Sequence, residues 1–160
     1  MEEGKLSKKD IKIVIAAHKP YRMPEDTMYV PLHVGAEGKK NPDGTPLDLG
    51  YQKDNEGDNI SAKNPYYCEL TGIYYAWKNI PAEYLGLVHY RRYFKGKNKS
   101  KDPFACIVTE PEMEKIFETH RIVVPKKRKY YIETLYSHYA HTHYAEHLDC
   151  VREIIGEQCP

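Results

Sequence analysis

The stretch YLGLVHYRRYF, residues 84–94, runs from strand-forming apolar residues straight into His89, Tyr90, Arg91 and Arg92. A guanidinium is planar, permanently charged and able to grip a phosphate through two parallel hydrogen bonds, so adjacent arginines at a strand end suggest a pyrophosphate ligand. The competing reading is a solvated strand end with Arg92 in a surface ion pair. IKIVIAA, from Ile11 to Ala17, breaks in the same way into His18, Lys19 and, after Pro20, Tyr21. In open parallel sheets ligands sit beyond the carboxyl ends of the strands, where the strand order reverses, so these two ends define a candidate site.

Three other groups carry chemistry less sharply. GDNISAKNPYYCE gathers Asp58, Asn59, Ser61 and Glu69 around a helix start. A carboxylate there can act as a base or hold a ribose or sugar hydroxyl, and turn formation and helix capping explain the same residue types. HYAHTHYAEH holds His138, His141, His143 and His147, the last two at the spacing of one helical turn and of a metal pair. No cysteine or carboxylate completes a recognised zinc pattern, so a solvated helix surface is the stronger reading and no metal ligand is assigned. KGKNKSK (residues 95–101) and PKKRKYY (residues 125–131) are basic runs that can touch anionic lipid headgroups or simply form solvated loops. GxGxxG and GxxxxGK[ST] are both absent, which argues against glycine-rich phosphate binding.

The elements that must position these residues can be read from periodicity. Ile11–Ala17 is a nearly continuous β-branched run, as in a strand buried on both faces of a parallel sheet. Residues 27–34 (TMYVPLHV) read as a short second strand. Residues 35–64 are rich in Gly, Asn, Asp and Pro without an apolar period, too long for an ordinary connection, and hence functional or partly disordered. A helix should come next, with Asn64 as N-cap, Pro65 in the first turn, and Tyr66, Leu70, Ile73, Tyr74 and Trp77 along its apolar face, ending before Pro81. After YLGLVHY come an expected short strand near Ala105–Val108 and a helix opened by a capping box of Thr109 and Glu112. A buried strand RIVVP (residues 121–125) and a two-piece helix over residues 132–155, stopped by Gly156, complete the series. This order argues for an α/β domain with a mostly parallel sheet.

Composition bounds the alternatives. A chain of 160 residues can bury roughly two thirds of its extended surface, so a disordered tail over residues 1–10 and one domain over residues 11–160 are expected. A net charge of +1 argues against a dedicated nucleic-acid binder. The four cysteines show no paired spacing, and no segment resembles a signal peptide or membrane span, so reduced thiols and a cytoplasmic location are expected. The fifteen tyrosines can line a polar cleft or bridge core and surface.

IKIVIAAHKPYRMP, YVPLHVGAEG, LGYQKDNEGDNISAKNPYYCELTGIYYAWKN and YLGLVHYRRYF, in this order and spacing, resemble the blocks of a bacterial family of capsular or exopolysaccharide biosynthesis proteins. That family is long described as a domain of unknown function and is similar to glycosyltransferases of the GT-A type. The resemblance runs from about Ile11 to Ile155. It implies a Rossmann-like domain that transfers a hexose from a nucleoside-diphosphate sugar, a UDP-sugar, to a growing polysaccharide or lipid-linked glycan. The inner face of the cytoplasmic membrane is then a natural peripheral location. By the same resemblance Ala17, His18, Lys19 and Tyr21 would contact the nucleobase or ribose. Asp58 and Asn59 would hold ribose or donor sugar, and Arg91 and Arg92, with His89, would clamp the diphosphate. Asp58 and Glu69 would be the candidate bases. Two departures stand out. Where GT-A enzymes carry Asp-x-Asp for a divalent metal, the corresponding strand ends in His89-Tyr90-Arg91, which implies a metal-independent variant, with manganese or magnesium the alternative. The family also continues past the equivalent of residue 160, which implies the N-terminal part of a longer domain. A non-catalytic module that binds nucleotide-sugar or polysaccharide is the rival reading.

Overall fold

A computed structural model describes residues 8–159, so the first seven residues of the expected tail lie outside the described residues. Where the sequence suggests one body over residues 11–160, the fold divides into two compact units between Val123 and Val124.

The first unit is built on a four-stranded, all-parallel sheet in the order β3, β2, β1, β4. The strands are β1 (Ile11–Ala17), β2 (Tyr29–His33), β3 (Gln52–Lys53) and β4 (Tyr84–His89). β1 lies at the centre, and its uninterrupted apolar run feeds both faces. Ile11, Ile13, Ile15 and Ala17 join one core cluster, and Val14 and Ala16 the other. This is the order of the first half of a Rossmann-like sheet, and the expected α/β class with a mostly parallel sheet holds. One face is covered by α2 (Leu70–Asn79), whose Tyr75 and Ala76 pack on Val14, Leu32 and Val34. The other is covered by Ile107 and Val108 together with Met113 of α3 (Glu110–Phe117). The capping box of α3 forms as expected, with the Thr109 amide donating to Glu112 Oε2 at 2.9 Å.

Several expectations are corrected. The helix from Asn64 is broken into α1 (Asn64–Tyr67) and α2, because Cys68 between them has φ +48°. Asn64 is not a cap. It lies inside α1, and its amide donates to the Cys68 carbonyl at 2.8 Å and to Thr71 Oγ1 at 3.1 Å. The apolar face differs as well: Tyr66 is 88% and Trp77 65% exposed, and the helix buries Thr71, Gly72, Tyr75 and Ala76 instead. Small residues allow the close approach. A Cβ on Gly72 would sit 2.7 Å from Val34 Cγ1. In place of a strand near Ala105–Val108 the chain makes a tight helical turn at Pro103–Cys106, followed by a single bridge from Lys95 to Ile107. RIVVP is not a strand. Ile122 is 78% exposed, and β-branched propensity without a ladder partner does not suffice. The long 35–64 segment contains β3 and turns at Gly35, Gly38, Gly44, Gly50 and Gly57, all with positive φ.

The second unit holds α4 (Leu135–Thr142) and α5 (Ala145–Gln158). Gly156 does not stop the last helix, which runs two residues past it. Among the described residues no helix is long and apolar enough to cross a membrane.

Candidate functional site

The strand order reverses at β1. β2 and β3 lie on one side of it and β4 on the other, so the switch point falls between the carboxyl ends of β1 and β4. The register pairs Ala16 with His89, and the Tyr90 amide extends the ladder to the Ala16 carbonyl at 3.2 Å. The residues just beyond the end of β1 therefore meet those just beyond the end of β4 across this gap.

Tyr90 is the centre of the cluster. Its side chain is buried, and the rings of His18 and Tyr21 meet it edge-on at centroid distances of 5.3 and 5.1 Å. His89 lies tilted against it at 4.2 Å, while Lys19 Nζ and the Arg91 guanidinium sit 5.7 and 5.1 Å from the ring centre. A cavity of about 460 Å³ opens beside it, walled by Tyr21, Tyr90, Tyr93 and Phe104, with Arg91 and Lys95 as its cations. Aromatic walls with cations at the rim suit a flat, anionic ligand.

His18, Lys19, Tyr21, His89 and Arg91 are thus brought together, while Ala17 is wholly buried beneath them and contributes backbone only. Arg92 closes a tight turn, its amide donating to the His89 carbonyl at 2.8 Å, and its exposed side chain is not part of the cavity wall. Lys95, in sequence only one member of a basic loop, stands there with Arg91. The Arg91 amide donates to His89 Nδ1 at 3.3 Å, which leaves Nε2 as the protonated nitrogen, 3.7 Å from Glu69 Oε1. Burial pushes His89 below its ordinary value, against the opposing pull of Glu69, and Arg91, Arg92 and His18 push it the same way. Neutral imidazole is the form at pH 7.

Of the two candidate bases, Glu69 is the N-cap of α2 and lies at the switch point. Asp58 does not. It accepts from Tyr74 Oη at 3.1 Å, and its main chain is held by the Asn79 amide, so it sits at the far end of α2, roughly 14 Å along the helix axis. Asn59 is occupied locally, donating to the Gly57 carbonyl and accepting from the Ser61 amide. The structure does not bring Asp58, expected to hold ribose or donor sugar together with Asn59, to the strand ends beside His89 and Arg91. Asp58 is separated from those ends by most of the length of α2, while Asn59 is tied through Ser61 toward its start.

Sequence patterning does not single out Asp54. This fully buried carboxylate accepts from the amides of Gly35 (2.8 Å) and Ala36 (3.0 Å) and from the hydroxyls of Ser61 (2.5 Å) and Thr71 (2.8 Å). It ties the loop after β2 to the start of α2, and with its oxygens so occupied it serves architecture rather than catalysis. Nδ1 of the neighbouring His33, a buried imidazole that desolvation holds below its ordinary value, has no partner, and neither does Oδ1 of Asn55, which follows Asp54 in the chain.

A divalent metal on a diphosphate needs hard oxygen ligands. The end of β4 offers His89, Tyr90, Arg91 and Arg92 with one carboxylate, Glu69, so the residues present do not fit a magnesium or manganese site. The histidine group of the second unit does not fit one either. His143 ends α4 and His147 belongs to α5, so the expected one-turn pair is split between two helices. His138 and His141 both turn Nδ1 to Glu133, at 2.6 and 3.1 Å. Among the described residues no group of three or more His, Cys, Asp or Glu could hold a metal ion.

Residues 12–160 match the family model described as "Domain of unknown function (DUF4422)". No curated protein matches the chain. Among solved structures the chain is similar to the apo structure of the bifunctional glycosyltransferase WbbM, with 40% identity and a TM-score of 0.49. That similarity covers 59% of this chain and 16% of the solved one.

Proposed function

The chain belongs to the DUF4422 family, and from that premise we propose that it is a glycosyl-transfer domain. It takes a nucleoside-diphosphate sugar, a UDP-sugar, in the cleft between the ends of β1 and β4 and passes the hexose to a polysaccharide or lipid-linked glycan. The observation that carries this reading is the coincidence of the topological switch point with an aromatic cleft bearing Arg91 and Lys95. Rings of Tyr21, Tyr90 and Phe104 suit a base, and the two cations suit the diphosphate. In the reaction the bond from the sugar's anomeric carbon to the β-phosphate oxygen breaks and a bond to the acceptor oxygen forms. The acceptor proton goes to a base, and UDP departs carrying the electron pair. Arg91 and Lys95 would offset the charge growing on the diphosphate, the role a metal takes elsewhere. Glu69, which faces His89, would take the proton.

A binding-only module is the second reading. It is favoured by the loss of Asp58 from the site, which leaves Glu69 as the sole candidate base, already facing His89. Calorimetry with UDP, UDP-glucose and UDP-galactose, with and without manganese, on wild type and on Arg91→Ala tests the first step. Micromolar UDP binding that weakens at least tenfold in Arg91→Ala is expected. A folded protein that binds no UDP would sink the nucleotide-sugar reading, and strict manganese dependence would overturn the metal-independent one. Release of UDP from the sugar donor in the presence of glycan acceptor, lost in Glu69→Gln, separates the enzyme from the binding module.

A further inference from the structure

Tyr21 and Arg22, neighbours in the loop after β1, are held by two different loops. The Tyr51 hydroxyl accepts from the Tyr21 amide at 3.0 Å and donates to the Tyr21 carbonyl at 2.9 Å, fixing that residue's main chain on both sides. Arg22 then makes a two-pronged pair with Asp102, Nη1 to Oδ1 at 2.9 Å and Nη2 to Oδ2 at 2.7 Å, across 80 residues of sequence. The same guanidinium lies 4.4 Å from the centre of the Phe104 ring, and Asp102 also accepts the Phe104 amide at 3.1 Å. Asp102 thus holds Arg22 with its side chain and starts the turn that presents Phe104. The residues on either side of this double attachment, Tyr21 and Phe104, are two walls of the cleft beside Tyr90.

Resting on the nucleotide-sugar reading above, we propose that Arg22 and Asp102 are positioning residues that set the spacing of Tyr21 and Phe104, the wall against which the nucleobase stacks. Neither touches the diphosphate, whose cations are Arg91 and Lys95. The division of labour is chemical. Stacking depends on how far apart two rings are held, and a planar, two-bond pair fixes distance and orientation where a single contact would fix one of them. A lysine at position 22 would keep the charge and lose the fork. The pair is exposed, so it contributes little to stability, as surface ion pairs in general do. Its value lies in geometry.

The consequence is a split that damage to the fold would not produce. In Arg22→Gln, calorimetry should show UDP and UDP-glucose binding about tenfold more weakly, within the worth of one base-stacking contact. Inorganic pyrophosphate, which has no base, should bind as it does to wild type. Arg22→Lys should give an intermediate loss for UDP. Tyr51→Phe, which deletes one hydroxyl from the other attachment, should reproduce the split and serves as the independent variant if Arg22→Gln does not fold. Unchanged UDP affinity in both variants, or equal weakening of UDP and pyrophosphate, would overturn the positioning role while leaving nucleotide binding intact. A wild type that binds neither UDP nor pyrophosphate overturns both the positioning role and the function it rests on.

Discussion

The two units of the chain both contain apolar residues and use them in opposite ways. Up to Val123, Ile11, Val14, Ile15 and Leu32 are wholly buried, and the two sheet faces carry separate, closely packed clusters. From Val124 onward no described residue is buried, and Ile132 is 98% exposed. Polar contacts take the place of a core there: Glu133 with His138 and His141, Tyr136 Oη with Asp149. Such contacts at a wet surface are individually weak, whereas each buried aliphatic residue contributes about 1.5–3 kcal/mol. Stability therefore resides in the first unit, and the periodic apolar residues of α4 and α5 define helices without defining an interior.

This contrast can be broken or sharpened by substitution. Ile15→Ala, at the centre of β1, should cost about 4 kcal/mol in urea unfolding, since Ile15 is wholly buried in the cluster that covers one sheet face. A loss below about 1 kcal/mol would mean that the sheet is not the source of stability. Asp54→Asn should cost about 3 kcal/mol, because the new NH2 group replaces one carboxylate oxygen and faces the two donors, one of them a main-chain amide, already aimed at it. A wild-type-like midpoint would demote Asp54 to a bystander. A smaller effect comes from pH. His33 is held below its ordinary 6.5 by burial, so as pH falls below 6.5 the unfolded chain takes up a proton that the folded chain refuses, and stability declines. Melting temperatures between about pH 7.5 and 5 should fall in wild type and fall less in His33→Gln. A steeper fall in the variant would reverse the sign of the argument. Smallest of all, Ile132→Ser in the second unit should shift the unfolding free energy by no more than about 0.5 kcal/mol. A shift above about 1 kcal/mol would show that this side chain finds burial after all.

The same contrast explains what can be read in the sequence. β1 and β4 are legible because each is a strand-length apolar run that ends in abrupt polarity, and that ending also marks the strand-end residues His18, Lys19, Tyr21, His89 and Arg91. β3 is not, since two residues, Gln52 and Lys53, inside a Gly- and Asp-rich segment carry no pattern. α2 misleads because two helical stripes coexist on it. The large one holds Leu70, Ile73, Tyr74 and Trp77. The small one holds Thr71, Gly72, Tyr75 and Ala76, and it is the small one that fits closely against Leu32 and Val34. Asp58 and Asp54 lie four residues apart in one acidic loop, and side-chain type does not say which of them turns inward. The polar Thr71 on the small stripe of α2 is the one clue that a buried acceptor awaits it. RIVVP has the composition of a strand without the partner that makes one.

The central position of β1 has a kinetic side. Ile11 pairs with Tyr84, so the first strand of the sheet to be synthesised cannot complete its second ladder until the fourth has been made. Among the described residues every strand pairing is parallel and none is a hairpin, so each closes a loop before any ladder bond rewards it. The chain should therefore fold late and slowly for its size, with Ile11–Ala17 waiting, strongly apolar and half-paired, for YLGLVH to arrive.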